Sequence, residues 1–125
     1  MLRRGDRFLV GKRAPGRPAA GYWTQVSGKM EPGETEQQTA VREAREELGC
    51  EIRPLRKLQQ LPSHNGQYLL HYWLCEITQG EPAIADEELE ELRWVTLEEH
   101  RLLTPVFSED IDLFEALLEE TTADG

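Results

Sequence analysis

The stretch Gly28-Lys29-Met30-Glu31-Pro32-Gly33-Glu34-Thr35-Glu36-Gln37-Gln38-Thr39-Ala40-Val41-Arg42-Glu43-Ala44-Arg45-Glu46-Glu47-Leu48-Gly49-Cys50 sets a turn-rich loop directly ahead of a short helix dense in acids. Thr35 with Gln38 is a capping-box pattern, Ala40, Val41, Ala44 and Leu48 recur at helical spacing, and Gly49 stops the element. On that helix Glu43, Glu46 and Glu47 stand at i, i+3 and i+4, so they share a face and repel one another. A hard dication between them removes the repulsion. Oxygen-only donors, with no thiolate and no imidazole, point to magnesium or manganese rather than zinc. Magnesium completes its shell with water and substrate phosphate oxygens, so the chemistry indicated is that of phosphate.

The spacing reads G-x5-E-x7-R-E-U-x-E-E-x-G-U, where U is apolar, with Gly28, Glu34, Arg42, Glu43, Ala44, Glu46, Glu47, Gly49 and Cys50 in the defined places. This resembles the box of the Nudix hydrolase family, the MutT-like enzymes acting on nucleoside diphosphates linked to another moiety. At residue frequencies of roughly 5–7% each, seven fixed positions coincide by chance on the order of once in 10⁸ to 10⁹ starts. Ala44 and Cys50 are smaller than the usual occupants of the apolar places but remain buriable.

The resemblance covers nearly the whole chain and implies an α/β/α sandwich, a mixed sheet between helices. It also implies metal-dependent hydrolysis of a phosphoanhydride by water. Glu43, Glu46 and Glu47 are then the metal ligands, with the Gly28 carbonyl as a backbone ligand and Glu34 reaching in from the loop. Arg42 is an orienting partner that holds a carboxylate in bidentate geometry. The general base is left open among Glu43, Glu47 and a carboxylate outside the box, for which Glu88 in the run Asp86-Glu87-Glu88-Leu89-Glu90-Glu91 is the choice, as it is for a further metal ligand. Family members usually carry more apolar residues ahead of the first hairpin, so an open sheet edge here invites a second copy, a homodimer.

Substrate choice in such proteins lies outside the box. Trp23-Thr24-Gln25-Val26-Ser27-Gly28 is similar to the corresponding segment of pterin triphosphate and some nucleoside triphosphate pyrophosphohydrolases. Tyr22, Trp23, Tyr68 and Tyr72 can stack on a base, and Lys29 can meet phosphate. No base-reading arginine accompanies Asn65-Gly66-Gln67, which speaks against oxidised guanine. The rival reading is a non-catalytic module that binds a nucleotide or metabolite; such modules often lose box acids, and this chain keeps all of them.

A length of 125 residues, with 38% hydrophobic and 30% charged, suits one globular domain, residues 1–125. A net charge of -10 argues against stable binding to nucleic acid or to an anionic membrane. No signal-peptide pattern is seen, and the Tyr68–Cys75 run is too short to span a bilayer, so the expectation is a cytoplasmic protein. Cys50 and Cys75 read as reduced core residues.

Residues 1–30 hold seven of the 14 bases against Asp6 alone, a basic patch that serves either solubility or the attraction of a phosphorylated ligand. A P-loop is rejected because position 23 is Trp and position 30 is Met, and the three histidines share no zinc-ligand spacing with either cysteine. Strands are expected over 7–12, 23–26, 52–61, 67–77 and 92–95. A capped helix should begin after Thr96, and Ile111, Phe114, Leu117 and Leu118 mark a closing amphipathic helix. His71 should face a cleft or neighbour.

Overall fold

The computed structural model describes residues 1–17, 19–25, 30–62, 66–67 and 69–124, with 121–124 described by backbone alone. Strand β1 (Arg3–Arg4) turns through Gly5 into β2 (Arg7–Arg13), which is buried without a break from Phe8 to Gly11. Successive side chains of a strand point to opposite faces, so burial at consecutive positions means that both faces are covered. Phe8 and Val10 enter one core with Trp23, Val95, Leu113, Phe114 and Leu117. Leu9 enters a second core with Ala44, Leu48, Cys50, Cys75 and Leu89.

Helix α1 (Glu36–Glu43) runs on into a π-helical turn, Ala44–Leu48, and covers the second core. Helix α3 (Ser108–Asp124) covers the first, its Phe114 ring stacked on Phe8 at 4.1 Å. Strand β6 (Leu89–Val95) lies antiparallel along β2, and β3 (Trp23–Thr24) pairs with β2 at Gly11 and Lys12. Strands β4 (Glu51–Pro62) and β5 (Leu69–Gln79) form a long antiparallel hairpin, tied to the rest through a parallel bridge between Leu2 and Cys75. Helix α2 (Leu97–Leu102) carries the expected Thr96–Glu99 capping box. The layers are helix, mixed sheet, helix, as the sandwich requires.

The strands differ from expectation mainly in their ends. Strand β6 starts at Leu89 rather than 92 because β2 offers it partners as far as Arg13. Its closeness depends on Gly11: a Cβ there would stand 2.8 Å from Leu89 Cδ2. Strand β3 ends at Thr24, and Val26 lies outside the described residues. Both cysteines are buried and free. Among the described residues no helix is long and apolar enough to cross a membrane.

The tertiary structure sets the basic opening segment against acids. Arg4 pairs with Glu81, Arg7 with Glu99, Lys12 with Glu90, Arg13 with Glu88, and Arg17 with Glu87 and Glu88. The β2–β6 ladder lays the basic opening of the chain along the acidic run 86–91, so opposite charges interleave on one surface.

Candidate active site

The loop before α1 is fixed by one carboxylate. Glu34 accepts from Arg42 Nε at 2.7 Å and Nη2 at 3.1 Å, from the Glu31 N–H at 2.8 Å and from Thr39 Oγ1 at 3.1 Å. The Arg42 hydrogen bonds, followed by the Glu31 N–H, hold Glu34 down to about 2. The other branch of Arg42 donates to Glu43 at 2.8 Å and to Glu46 at 3.0 Å. One guanidinium thus ties the loop to two helix acids, the supporting role expected of it. Thr39, which helps to hold Glu34, was not among the expected site residues. It stands four residues beyond the helix cap, where a hydroxyl can reach back into the loop.

The three helix acids do not share one environment, although their spacing alone puts them on one face. The π-helical turn begins directly after Glu43, and such turns widen the helix and re-aim the side chains beyond them. Glu47 is 4% exposed, whereas the Glu46 side chain is 54% exposed. Gly49, at φ 64°, then ends the helix in the left-handed conformation. The Glu47 Oε2 atom is buried without a hydrogen-bond partner. Burial first, then a hydrogen bond and repulsion shared with Glu43, then Asp86, push Glu47 up to about 9, with Arg13 opposing.

A carboxyl buried beside a second carboxyl, its proton affinity raised, fits a cation site, because a dication supplies the charge that the protein withholds. Glu43, Glu46, Glu47 and Asp86 are oxygen donors suited to a hard ion. Among the described residues no three acidic, imidazole or thiol groups converge into a ready cage. Glu43 and Glu46 instead lean onto Arg42.

Gly28, Lys29 and Tyr68 lie outside the described residues. Glu88 is held by Arg13 at 3.3 Å and by Arg17 at 3.3 Å. Its loop is nevertheless at the site: Ala85 N–H donates to the Glu47 carbonyl at 2.9 Å and Ala83 N–H to that of Leu48 at 3.0 Å. Asp86 and Arg13, which act on Glu47 through their charges, were hidden inside an acidic run and a basic run. Nothing local distinguishes them there.

Of the expected stacking residues, Trp23 is buried in the α3-side core beneath the Arg93 guanidinium, and Tyr22 stacks on Phe107 at 4.5 Å. Tyr72 packs against the α3-side core and reaches a cavity of about 50 Å³ lined also by Glu43, Glu36, His71, Trp73 and Met30. That volume suits a few waters rather than a nucleotide. His71 faces this cleft, as expected, with Nδ1 3.3 Å from Glu36 Oε1 but without hydrogen-bond geometry. Glu36 also accepts from Trp73 Nε1 at 3.0 Å and pairs with Lys57 at 3.0 Å.

The NUDIX domain family matches residues 1–117. The chain is 34% identical over 104 residues to the NAD-capped RNA hydrolase NudC of Salmonella paratyphi C (strain RKS4594), covering 83% of this chain and 40% of that protein. It therefore spans about two fifths of the length of this curated relative. The E. coli ORF135 protein has a similar solution structure, with a TM-score of 0.72 at 29% identity, covering 98% of this chain and 86% of that one. The MutT protein from Methanosarcina mazei Go1 shares the fold with a TM-score of 0.77 at 23% identity, over 96% of this chain and 89% of that one. With the box geometry, the two-core sandwich and the family match over residues 1–117 in agreement, the chain is a member of the Nudix hydrolase family.

Proposed function

We propose that this protein hydrolyses a phosphoanhydride bond in a nucleoside diphosphate linked to another moiety, with a (d)NTP or pterin-type triphosphate as the small-molecule substrate. The observation that carries this reading is the Glu47 carboxyl, buried beside Glu43 with one oxygen unpartnered. Glu43, Glu46 and Glu47, with the Gly28 carbonyl and Glu88, are the groups that would hold Mg²⁺ or Mn²⁺. When bound, such an ion offsets the negative charge of the phosphates and makes water more acidic.

The chain's own residues supply position. Arg42 fixes Glu34 and restrains Glu43, so the loop and the helix acids face the substrate as one unit. The proton acceptor comes from Glu43, Glu47 or Glu88, whichever reaches the attacking water. Tyr22, Tyr68, Tyr72 and Lys29 are the proposed contacts to base and phosphate, since Trp23 is taken up by the core. Residues 1–125 act as one unit, in a cytoplasmic setting, and a second copy along the open sheet edge belongs to the same proposal.

The test is phosphate or pyrophosphate release from a panel of nucleoside triphosphates, sugar nucleotides, dinucleoside polyphosphates and NAD-capped RNA, with Mg²⁺, comparing the native protein with Glu47→Gln. Turnover of at least one triphosphate that the substitution abolishes supports the reading. Equal turnover by both proteins removes the role given to the helix. Binding without turnover of any compound favours the non-catalytic module.

A further inference from the structure

Glu43 shares the cavity behind α1 with a second acid of the same helix. Glu36 stands two helical turns earlier on that face, so the two carboxylates line one cavity about 10 Å apart along the helix axis. The facing wall is β5, through His71 and Trp73. Met30, Glu36 and His71 are all partly exposed, so the Glu36 end of the cavity reaches solvent.

Both polar groups at this end have hydrogen-bonding capacity to spare. Trp73 Nε1 and Lys57 Nζ each meet Glu36 Oε1 at 3.0 Å, whereas among the described residues Oε2 has Lys57 alone, at 3.2 Å. The Trp73 hydrogen bond, then that of Lys57, holds Glu36 below the ordinary carboxylate range, so at neutral pH it is purely an acceptor. His71 Nδ1 is buried without a partner, because the 3.3 Å approach of Glu36 Oε1 lacks hydrogen-bond geometry. Buried polar atoms are nearly always satisfied, so an unmet one beside a cavity marks a missing partner. A hydroxyl suits both groups: it donates to the carboxylate, and it can give to or take from an imidazole nitrogen in either tautomer. Phosphate is repelled by the Glu36 charge, and a base is too large for about 50 Å³. The hydroxylated edge of a sugar fits, with Leu9, Ala40, Leu48 and Ile52 offering an apolar floor to its carbons.

We propose that this cavity receives the ribose diol of the nucleotide, with Glu36 accepting one hydroxyl and His71 Nδ1 pairing with the other. The two-turn separation then puts the sugar at the Glu36 end and the phosphates at the box end, by Glu43. Tyr72, the proposed contact to base, lines the same cavity, so base and sugar adjoin. The hydroxyls replace waters and reproduce their hydrogen bonds, which makes the exchange favourable. This rests on the functional reading above and narrows its substrate to nucleotides whose sugar carries both hydroxyls.

The experiment is calorimetric titration of the full chain, with Mg²⁺, by analogues of ATP, GTP, CTP and UTP whose bridging oxygens are replaced by methylene. Each is compared with its 2′,3′-dideoxy counterpart. The native protein should bind at least one ribose form about tenfold or more tightly than its dideoxy counterpart, the scale of a hydrogen bond to a charged acceptor. Glu36→Leu and His71→Phe should each weaken the ribose form and leave the dideoxy form nearly unchanged, so that the ratio falls about threefold or more. A side chain that only supports the helix would weaken both forms alike. Thermal unfolding checks that each variant is folded, and the native comparison needs no substitution. Equal binding of the two sugar forms by the native protein, a ratio that survives either substitution, or no binding of any analogue would each overturn the proposal. If the ratios behave as stated while the hydrolysis panel shows no turnover, the catalytic reading fails and the diol site stands; if Glu47→Gln abolishes turnover but the native protein treats both sugar forms alike, the reverse holds.

Discussion

Glu34 and Glu47 lie at opposite ends of one loop-and-helix segment and have opposite chemistry. Glu34 is saturated with donors from Arg42, Thr39 and the Glu31 backbone and is held down to about 2. Glu47 is buried against Glu43 and pushed up to about 9. The same side chain is a strut in one place and an unmet demand for positive charge in the other. Burial and the count of nearby donors make that difference, since desolvation disfavours a carboxylate and hydrogen bonds to it favour it.

The largest effect expected from breaking this contrast is at the Glu47 end. Glu47→Gln should cut turnover of whichever compound of the panel proves to be the substrate by about a hundredfold or more, the scale of losing a group at the reacting centre. It should leave unfolding in EDTA unchanged or raised, because a buried ionisable group is replaced by a neutral one of the same shape. A protein that unfolds more easily and keeps its turnover would show that Glu47 serves the fold alone.

The two ends should also respond to pH with opposite signs. Glu47 binds its proton more tightly folded than unfolded, so its contribution to metal-free stability is fully present below the ordinary carboxylate range and is lost as pH rises from about 4.5 towards about 9. Glu34 contributes stability above the ordinary range that is lost as pH falls towards about 2. Added Mg²⁺ should therefore raise the unfolding temperature most at high pH and release a proton on binding. Melting curves over pH, with EDTA or Mg²⁺, test this; a Mg²⁺ effect independent of pH would contradict the placement of the cation at Glu47.

At the other end, Arg42→Lys keeps the charge but loses the fork that joins Glu34 to Glu43 and Glu46. Turnover should drop about tenfold to a hundredfold, as when a supporting partner of a ligand is removed. Restoration of full turnover by lysine would mean that only charge matters. The smallest effect belongs to Thr35→Ala, which removes one half of the capping box. It should cost about 1 kcal/mol of stability, read by urea unfolding, and fray the Glu34 end of the segment with little change in the pH response of Glu47.

Much of this was legible in the chain because it is local. The Thr35–Gln38 and Thr96–Glu99 caps, the stop at Gly49 and the apolar spacing of α1 and α3 depend on neighbours within a few residues. The box positions are equally local, and they carry the family. The interior of the site is different. Spacing placed Glu43, Glu46 and Glu47 on one face, and the π-helical turn separated Glu46 from Glu47. Arg13 and Asp86 looked like members of solvated charge runs until the β2–β6 ladder placed Arg13, and the Ala85 N–H bond to the Glu47 carbonyl placed the Asp86 loop, beside Glu47.

By itself, then, the amino-acid order determined a capped acidic helix, a set of strands and the type of ion such oxygens favour, since periodicity and capping act over one or two helical turns. Tertiary structure alone decided which acid is buried, which arginine each carboxylate meets, and that Trp23 belongs to the core. Those outcomes depend on long-range strand pairing and on the exclusion of water, neither of which has a signature within a few residues of sequence.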